Sequence, residues 1–125
     1  MIAGTYNITC EQGATFSRII QLKQPVESDP TGSTYEPYDL QNHTARMQVR
    51  RTLSSTTVLV ELTTDNGRIV LEPTSEKGII VIQMDDATTA ALSSDGVYDL
   101  EIISLGGEVS RVIQGTFTLS LEVTR

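Results

Sequence analysis

One thiol, Cys10, and one imidazole, His43, make a conceivable nucleophile–base pair in this 125-residue chain. A working pair needs the base within hydrogen-bond reach of the sulfur. The local sequence gives no support for it: Cys10 ends an alternating run that begins at Thr5, and His43 lies beside a turn in Gln41-Asn42-His43-Thr44. Asp85 and Asp86 are neighbours, so on a helix they diverge, and helix capping accounts for them better than acid–base work. Asp95, Asp99 and Glu101 could gather at a sheet end, but they lack the spacing of a calcium loop. Gly106-Gly107 stands between two strand-like runs with no helix start after it, so it makes no phosphate cradle. No catalytic residue, cofactor or metal ligand is expected, and the chain reads as non-enzymatic.

Residues suited to contact are easier to find. Arg46, Arg50 and Arg51 cluster, and Arg46 and Arg50 share one face of a strand with Gln48 between them. They either decorate a solvated face and pair with neighbouring acids, or form a stripe that docks on an acidic partner surface. Tyr35 and Tyr38 stand at the far end of the irregular stretch Gln24–Asp39, which holds three of the four prolines. They could form a small aromatic platform, although anchoring the loop to the body or to a partner suits amphipathic rings better. The candidate partner contacts are therefore Tyr35, Tyr38, Arg46 and Arg50. A carbohydrate- or peptide-binding module is the rival reading, weakened by the absence of Trp.

The elements that must position these residues are strands. From Thr116 to Thr124, apolar Phe117, Leu119, Leu121 and Val123 alternate without a miss with polar residues. Period two turns side chains to opposite faces, so one face is buried and the other wet. Tyr6, Ile8 and Cys10 alternate likewise, as do Phe16, Ile20 and Leu22 within Ala14–Lys23, and Ala45, Met47 and Val49 within Thr44–Arg51. Val58, Val60 and Leu62 mark another strand. Asp65-Asn66-Gly67 then predicts a type I′ hairpin returning through Arg68–Glu72. Pro73–Gly78 reads as a loop and Ile79–Met84 as a buried strand. One short helix follows Asp85 or Asp86, and Val97–Ser104 pairs with Val109–Thr124 as a closing hairpin with a bulge at Gly115. The sum is an all-β chain, an antiparallel β-sandwich of immunoglobulin-like type with about eight strands in one domain spanning residues 1–125.

Composition limits the partners. The formal net charge of −7 opposes nucleic-acid binding, which needs clustered cations on phosphates. No apolar run reaches the ~20 residues of a membrane helix, and the first ten residues lack a signal-peptide pattern. A single cysteine agrees with a reducing compartment. Asn7-Ile8-Thr9 and Asn42-His43-Thr44 match the glycosylation pattern, which matters only after secretion. Expected localisation is therefore manufacture in a cytoplasm, with no membrane partner and no small-molecule substrate.

Three segments carry a family likeness. Tyr6-Asn7-Ile8-Thr9-Cys10-Glu11-Gln12-Gly13-Ala14-Thr15-Phe16 resembles the "strand, Glu-Gln-Gly, aromatic strand" opening of small β-sandwich proteins of tailed-bacteriophage virions. Tyr38-Asp39-Leu40 running into Thr44-Ala45-Arg46-Met47-Gln48-Val49-Arg50 is similar to their central segment, with Asn42-His43 where Gly-Tyr is usual. Gly96-Val97-Tyr98-Asp99-Leu100-Glu101, Val109-Ser110-Arg111-Val112, Gly115 and Glu122-Val123-Thr124-Arg125 resemble their closing hairpin. Such domains occur as tail-fibre collars and as N-terminal domains of upper-baseplate adaptors. The resemblance implies a structural virion protein that adapts or docks tail, baseplate or fibre subunits, as a homo-oligomer or in repeated copies within a symmetric assembly; a capsid or neck decoration protein is the alternative. The Gln24–Asp39 loop and an outer sheet face are the expected assembly surfaces.

Overall fold

Alternating burial builds two sheets in the computed structural model, which describes residues 3–72 and 77–124. The larger sheet is ordered β1/β2–β11–β10–β6–β7. Its strands are β1 (Gly4–Thr5), β2 (Ile8–Glu11), β6 (Thr44–Arg50), β7 (Val58–Thr63), β10 (Gly96–Ile103) and β11 (Val109–Ser120). The smaller is ordered β3–β9–β8, from β3 (Phe16–Gln21), β9 (Ile79–Met84) and β8 (Ile69–Leu71). A separate hairpin joins β4 (Lys23–Pro25) to β5 (Tyr35–Pro37). The only helix among the described residues, α1 (Asp86–Ala90), is capped by Asp85, whose side chain accepts from the Thr88 amide. With β1 and β2 counted as one interrupted strand, the two sheets hold eight strands, five and three, in an immunoglobulin-like order.

The core lies between the sheets. Strand β10 alternates buried and half-buried residues along its whole length, burying Tyr98, Leu100 and Ile102. Ala45, Met47 and Val49 of β6, and Val60 and Leu62 of β7, continue the same layer. Ile80, Ile82, Met84, Ile69 and Phe16 face them from the smaller sheet. Phe16 meets Phe117 across the gap at 6.4 Å between ring centroids with a 52° tilt, a geometry that aromatic quadrupoles favour.

The first strand is parallel to the last, a pairing absent from the antiparallel expectation. Ile8–Glu11 lie beside Phe117–Ser120, and Gly4–Thr5 beside Ile113–Gln114. The break at Tyr6-Asn7 is bridged. The Tyr6 amide donates to Gln114 O at 3.0 Å, and the Asn7 side chain accepts from the Thr116 amide at 3.1 Å. Ile8 and Cys10 point inward as expected, whereas Tyr6, at the break, is partly exposed.

Four further expectations are corrected. Asp65-Asn66-Gly67 makes no hairpin, because β7 belongs to the larger sheet and β8 to the smaller. A type I′ turn needs positive φ at two successive residues; here Gly67 has it (77°) and Asn66 does not. Instead the Asn66 side chain accepts from the Thr63 and Arg68 amides and donates to Glu61 O, each at 3.0 Å, closing a corner between sheets. The bulge in β11 falls at Val112, not Gly115: Leu100 opposes Ile113 while Glu101 opposes Arg111. Val112 and Ile113 are thus both buried. The last strand ends at Ser120, where its neighbours run out, so Leu121 (71% exposed) and Val123 (92% exposed) keep the alternation with nothing to cover them. Finally, Gln24–Asp39 is not irregular throughout: Lys23–Pro25 pairs with Tyr35–Pro37 as the β4–β5 hairpin, and the irregular part is the connection over residues 26–34. Most of the expected Pro73–Gly78 loop lies outside the described residues.

Gly115 explains itself here. A Cβ on it would collide with Tyr6 O and the Asn7 side chain, so only glycine lets the first segment close on β11. Gly115→Ala should therefore cost roughly 1–3 kcal/mol. Phe117→Ala, which empties the centre of the core, should cost about 3–5 kcal/mol. Urea titrations of both variants check this, and a midpoint unchanged by Phe117→Ala would contradict the packing described.

Candidate interaction surface

The expected chemical groups are kept apart. Cys10 is fully buried beside Leu119, near the end of the sheet where β10 begins, and burial pushes its thiol pKa up. His43 precedes β6 at the opposite end, where Thr44 pairs with Ile103. Its Nδ1 lies 2.8 Å from Gln41 O, and its ring stands edge-on to Tyr38 at 5.7 Å. Asn42 adopts φ of 60°, which asparagine tolerates better than most residues.

Each acid proposed for metal work has a structural partner. Asp95 accepts from the Leu119 amide at 2.7 Å, Asp99 lies 3.3 Å from Arg111, and Glu101 lies 2.8 Å from Arg46. Among the described residues no group of three or more His, Cys, Asp or Glu converges on a metal-sized space. The Gln12-Gly13 pair has a framework role. Gln12 donates to Leu92 O at 2.9 Å and accepts from the Glu122 amide at 3.0 Å. The Gly13 amide donates to Thr89 Oγ1 at 3.0 Å, and that buried hydroxyl donates to Ala14 O at 2.8 Å. These bonds tie the β2–β3 turn to α1 and to the chain end.

The arginines stand on the outer face of the larger sheet. Register places Arg111, Glu101, Arg46 and Thr63 in one row across four strands, and Gln114, Asp99, Gln48 and Glu61 in the next. Arg46 donates to Glu101 at 2.8 Å. Gln48 donates to Glu61 at 2.7 Å and accepts from Arg50 at 2.8 Å. Arg50 differs from Arg46. It is half-buried, and its other nitrogen donates to Ser55 O at 2.7 Å. Among the described residues it has no carboxylate in ion-pair range. Beside it opens a shallow hollow of about 610 Å³, lined in part by Asn7, Gln48, Arg50, Leu53, Asp99 and Arg111. Leu53, at its rim, is 91% exposed. The hollow was not legible in the sequence, because it is walled by four segments far apart along the chain.

The two tyrosines are not a platform. Tyr35 is 59% exposed on the β4–β5 hairpin, while Tyr38 packs against the core. Three residues apart in extended chain, they leave opposite sides. A further surface is the outer face of the smaller sheet, where Ile19 (72% exposed), Val81 and Val70 form a row by register. Alternation already puts Ile20 in phase with Phe16 and Leu22 and so turns Ile19 outward; only the register of three strands brings it beside Val81 and Val70.

Two outcomes are expected. Arg46→Ala should change stability by no more than ~0–1 kcal/mol, since its ion pair is largely solvent-screened; a larger loss on thermal melting would show that the row holds the sheet. Tyr98 is buried, its hydroxyl donates to Tyr6 O, and burial followed by the Tyr6 phenol raises its pKa well above the ordinary 10.0. A raised folded-state pKa gives stability that is complete below pH 10 and is lost as pH rises above it. Alkaline melts should show this loss, and Tyr98→Phe should be less stable at neutral pH yet flatter above pH 10.

No family model and no curated protein matches the chain. Among solved structures it is similar to a chain in the crystal structure of ICOS in complex with ICOS-L and an anti ICOS-L VNAR domain. Identity is 12% and the TM-score 0.47. The alignment covers 96% of this chain and 56% of that one, so this chain spans little more than half the length of its match.

Proposed function

We propose that this chain is a structural protein of a tailed-bacteriophage virion, a non-enzymatic adaptor or collar/baseplate component present in repeated copies that docks other tail or fibre subunits. The observation that carries this reading is the set of apolar side chains held outward on ordered strands and short turns: Ile19 at 72% exposure, Leu53 at 91% and Tyr35 at 59%. Singly exposed apolar residues are ordinary, but Ile19 continues into a row with Val81 and Val70 across three strands, and a contiguous apolar row suits protein contact. The resemblance supplies the class of assembly. Two of its motifs have structural reasons here, since Gln12-Gly13 ties the end of the sandwich and Gly115 admits the first strand. Both serve the framework, which fits a scaffold whose surfaces carry the function. On this reading the protein resides in the virion after synthesis in the host cytoplasm. Among the described residues no helix is long and apolar enough to cross a membrane.

A second reading is favoured by the hollow beside Arg50, whose amide and hydroxyl lining, Asn7, Gln48, Gln114 and Thr116, could bind a glycan or peptide. Mass spectrometry of washed, density-purified particles separates the two. The structural reading expects the chain in stoichiometric, repeated copy number alongside tail or fibre subunits. Its absence from particles, with binding on a glycan or peptide array, would replace that reading with the module.

A further inference from the structure

Two surface features that belong to neither sheet's core match one another. We propose that the β4–β5 hairpin of one copy seats in the Arg50 hollow of the next, a head-to-tail contact between copies of this chain. The inference rests on the reading as a repeated structural subunit and names the partner, a second copy.

The hairpin is built to project. Strands β4 and β5 pair only with each other, and every residue from Thr31 to Pro37 is exposed. Its tip is nevertheless ordered from within. The Asp29 carboxylate accepts from the Thr31 amide at 3.0 Å and the Thr34 amide at 2.9 Å, and from the Thr31 hydroxyl at 2.6 Å. These bonds hold the Asp29 carboxyl well below the usual carboxylate range, so the tip stays charged and ordered together. A pre-ordered element loses less entropy on docking.

Charge selects the landing place. The hairpin, residues 23–37, contains Glu27, Asp29 and Glu36 against Lys23, a formal −3 + 1 = −2. The chain as a whole carries −7, so most of its surface repels such a hairpin. The outer sides of β11, β10, β6 and β7 balance Arg46, Arg50 and Arg111 against Glu61, Asp99 and Glu101, a formal 3 − 3 = 0. Among them Arg46 and Arg111 already face carboxylates, whereas Arg50 donates only to uncharged oxygens. An incoming Glu27 or Glu36 carboxylate would give that half-buried guanidinium its missing counter-charge. Tyr35 on the hairpin and Leu53 on the rim would cover one another, removing two exposed apolar groups from water. No hairpin residue lines the hollow of its own chain. The contact therefore joins two different patches, which closes into a ring or runs on as a filament according to the rotation between copies.

Charge reversal tests this on the full chain by sedimentation velocity. The wild type should self-associate with rising concentration. Arg50→Glu alone, and Glu27→Lys with Glu36→Lys, should each weaken association at least about tenfold while keeping wild-type circular dichroism. Mixed in equal amounts, the two variants should reassemble, because each hairpin then meets a hollow of opposite charge. Leu53→Ser and Tyr35→Ser, at exposed positions with no part in the core, should weaken association without any charge change. A wild type that stays monomeric, reversed variants that assemble normally, or folded variants that fail to reassemble on mixing would each overturn the proposal. Detection of the chain in particles alongside such a failure would leave the virion reading standing. Reassembly of the mixed variants from a chain absent from particles would do the opposite.

Discussion

The sandwich depends on β11 being hydrogen-bonded along both edges. A strand left open on one side presents a row of unpaired amides and carbonyls, which either meet water or recruit another chain. Here β10 covers one edge antiparallel, and the first segment covers the other parallel. Closing that second edge brings Tyr6 and Asn7 so near the backbone of β11 that residue 115 has no room for a side chain. The Tyr98 hydroxyl completes the closure from β10 by donating to Tyr6 O. The two ends of the chain are thereby bound together, and the inner face of β11 can present Phe117 and Leu119 to the opposing sheet.

A second group of bonds acts at the end of the sandwich. The buried Thr89 hydroxyl receives the Gly13 amide and donates to Ala14 O, while Gln12 spans Leu92 and Glu122. A buried polar group costs free energy unless satisfied, and here every bond is local to one corner. The turn from the larger sheet to the smaller, the short helix and the chain end therefore behave as one unit. The outer faces and the β4–β5 hairpin take no part in these bonds.

Charge on the outer face follows the same division. Cross-strand neighbours neutralise Arg46 and Arg111, so these residues mostly satisfy the sheet that carries them. Arg50 has a similar place in sequence and a different role in space, because residues 51–57 fold beside it and offer Ser55 O instead of an acid. Identity of residue type and of strand face thus did not carry identity of environment. Tyr35 and Tyr38 make the same point, one standing on the projecting hairpin and the other packed beneath it against His43.

Period-two alternation by itself determined most of the strands, and with them the all-β class and most of the core. It did so because each alternating segment has only one way to bury its apolar face. Strand β9 was legible as an apolar run, β8 only through a turn signal, and β4 and β5 not at all. The helix start was legible to within one residue, Asp85 or Asp86, since a capping side chain acts within three residues, and the structure selects Asp85. What alternation leaves open is the neighbour. Asn66-Gly67 suits a hairpin locally, yet β7 and β8 find partners in different sheets, and Asn66 closes the corner instead. Leu121 and Val123 alternate as faithfully as Phe117 and Leu119, but β11 ends at Ser120 with its partners, so they stay in water. The hollow beside Arg50 and the Ile19–Val81–Val70 row exist only through strand order and register. Burial and pairing are properties of distant segments brought together, and tertiary structure alone decides which segments meet.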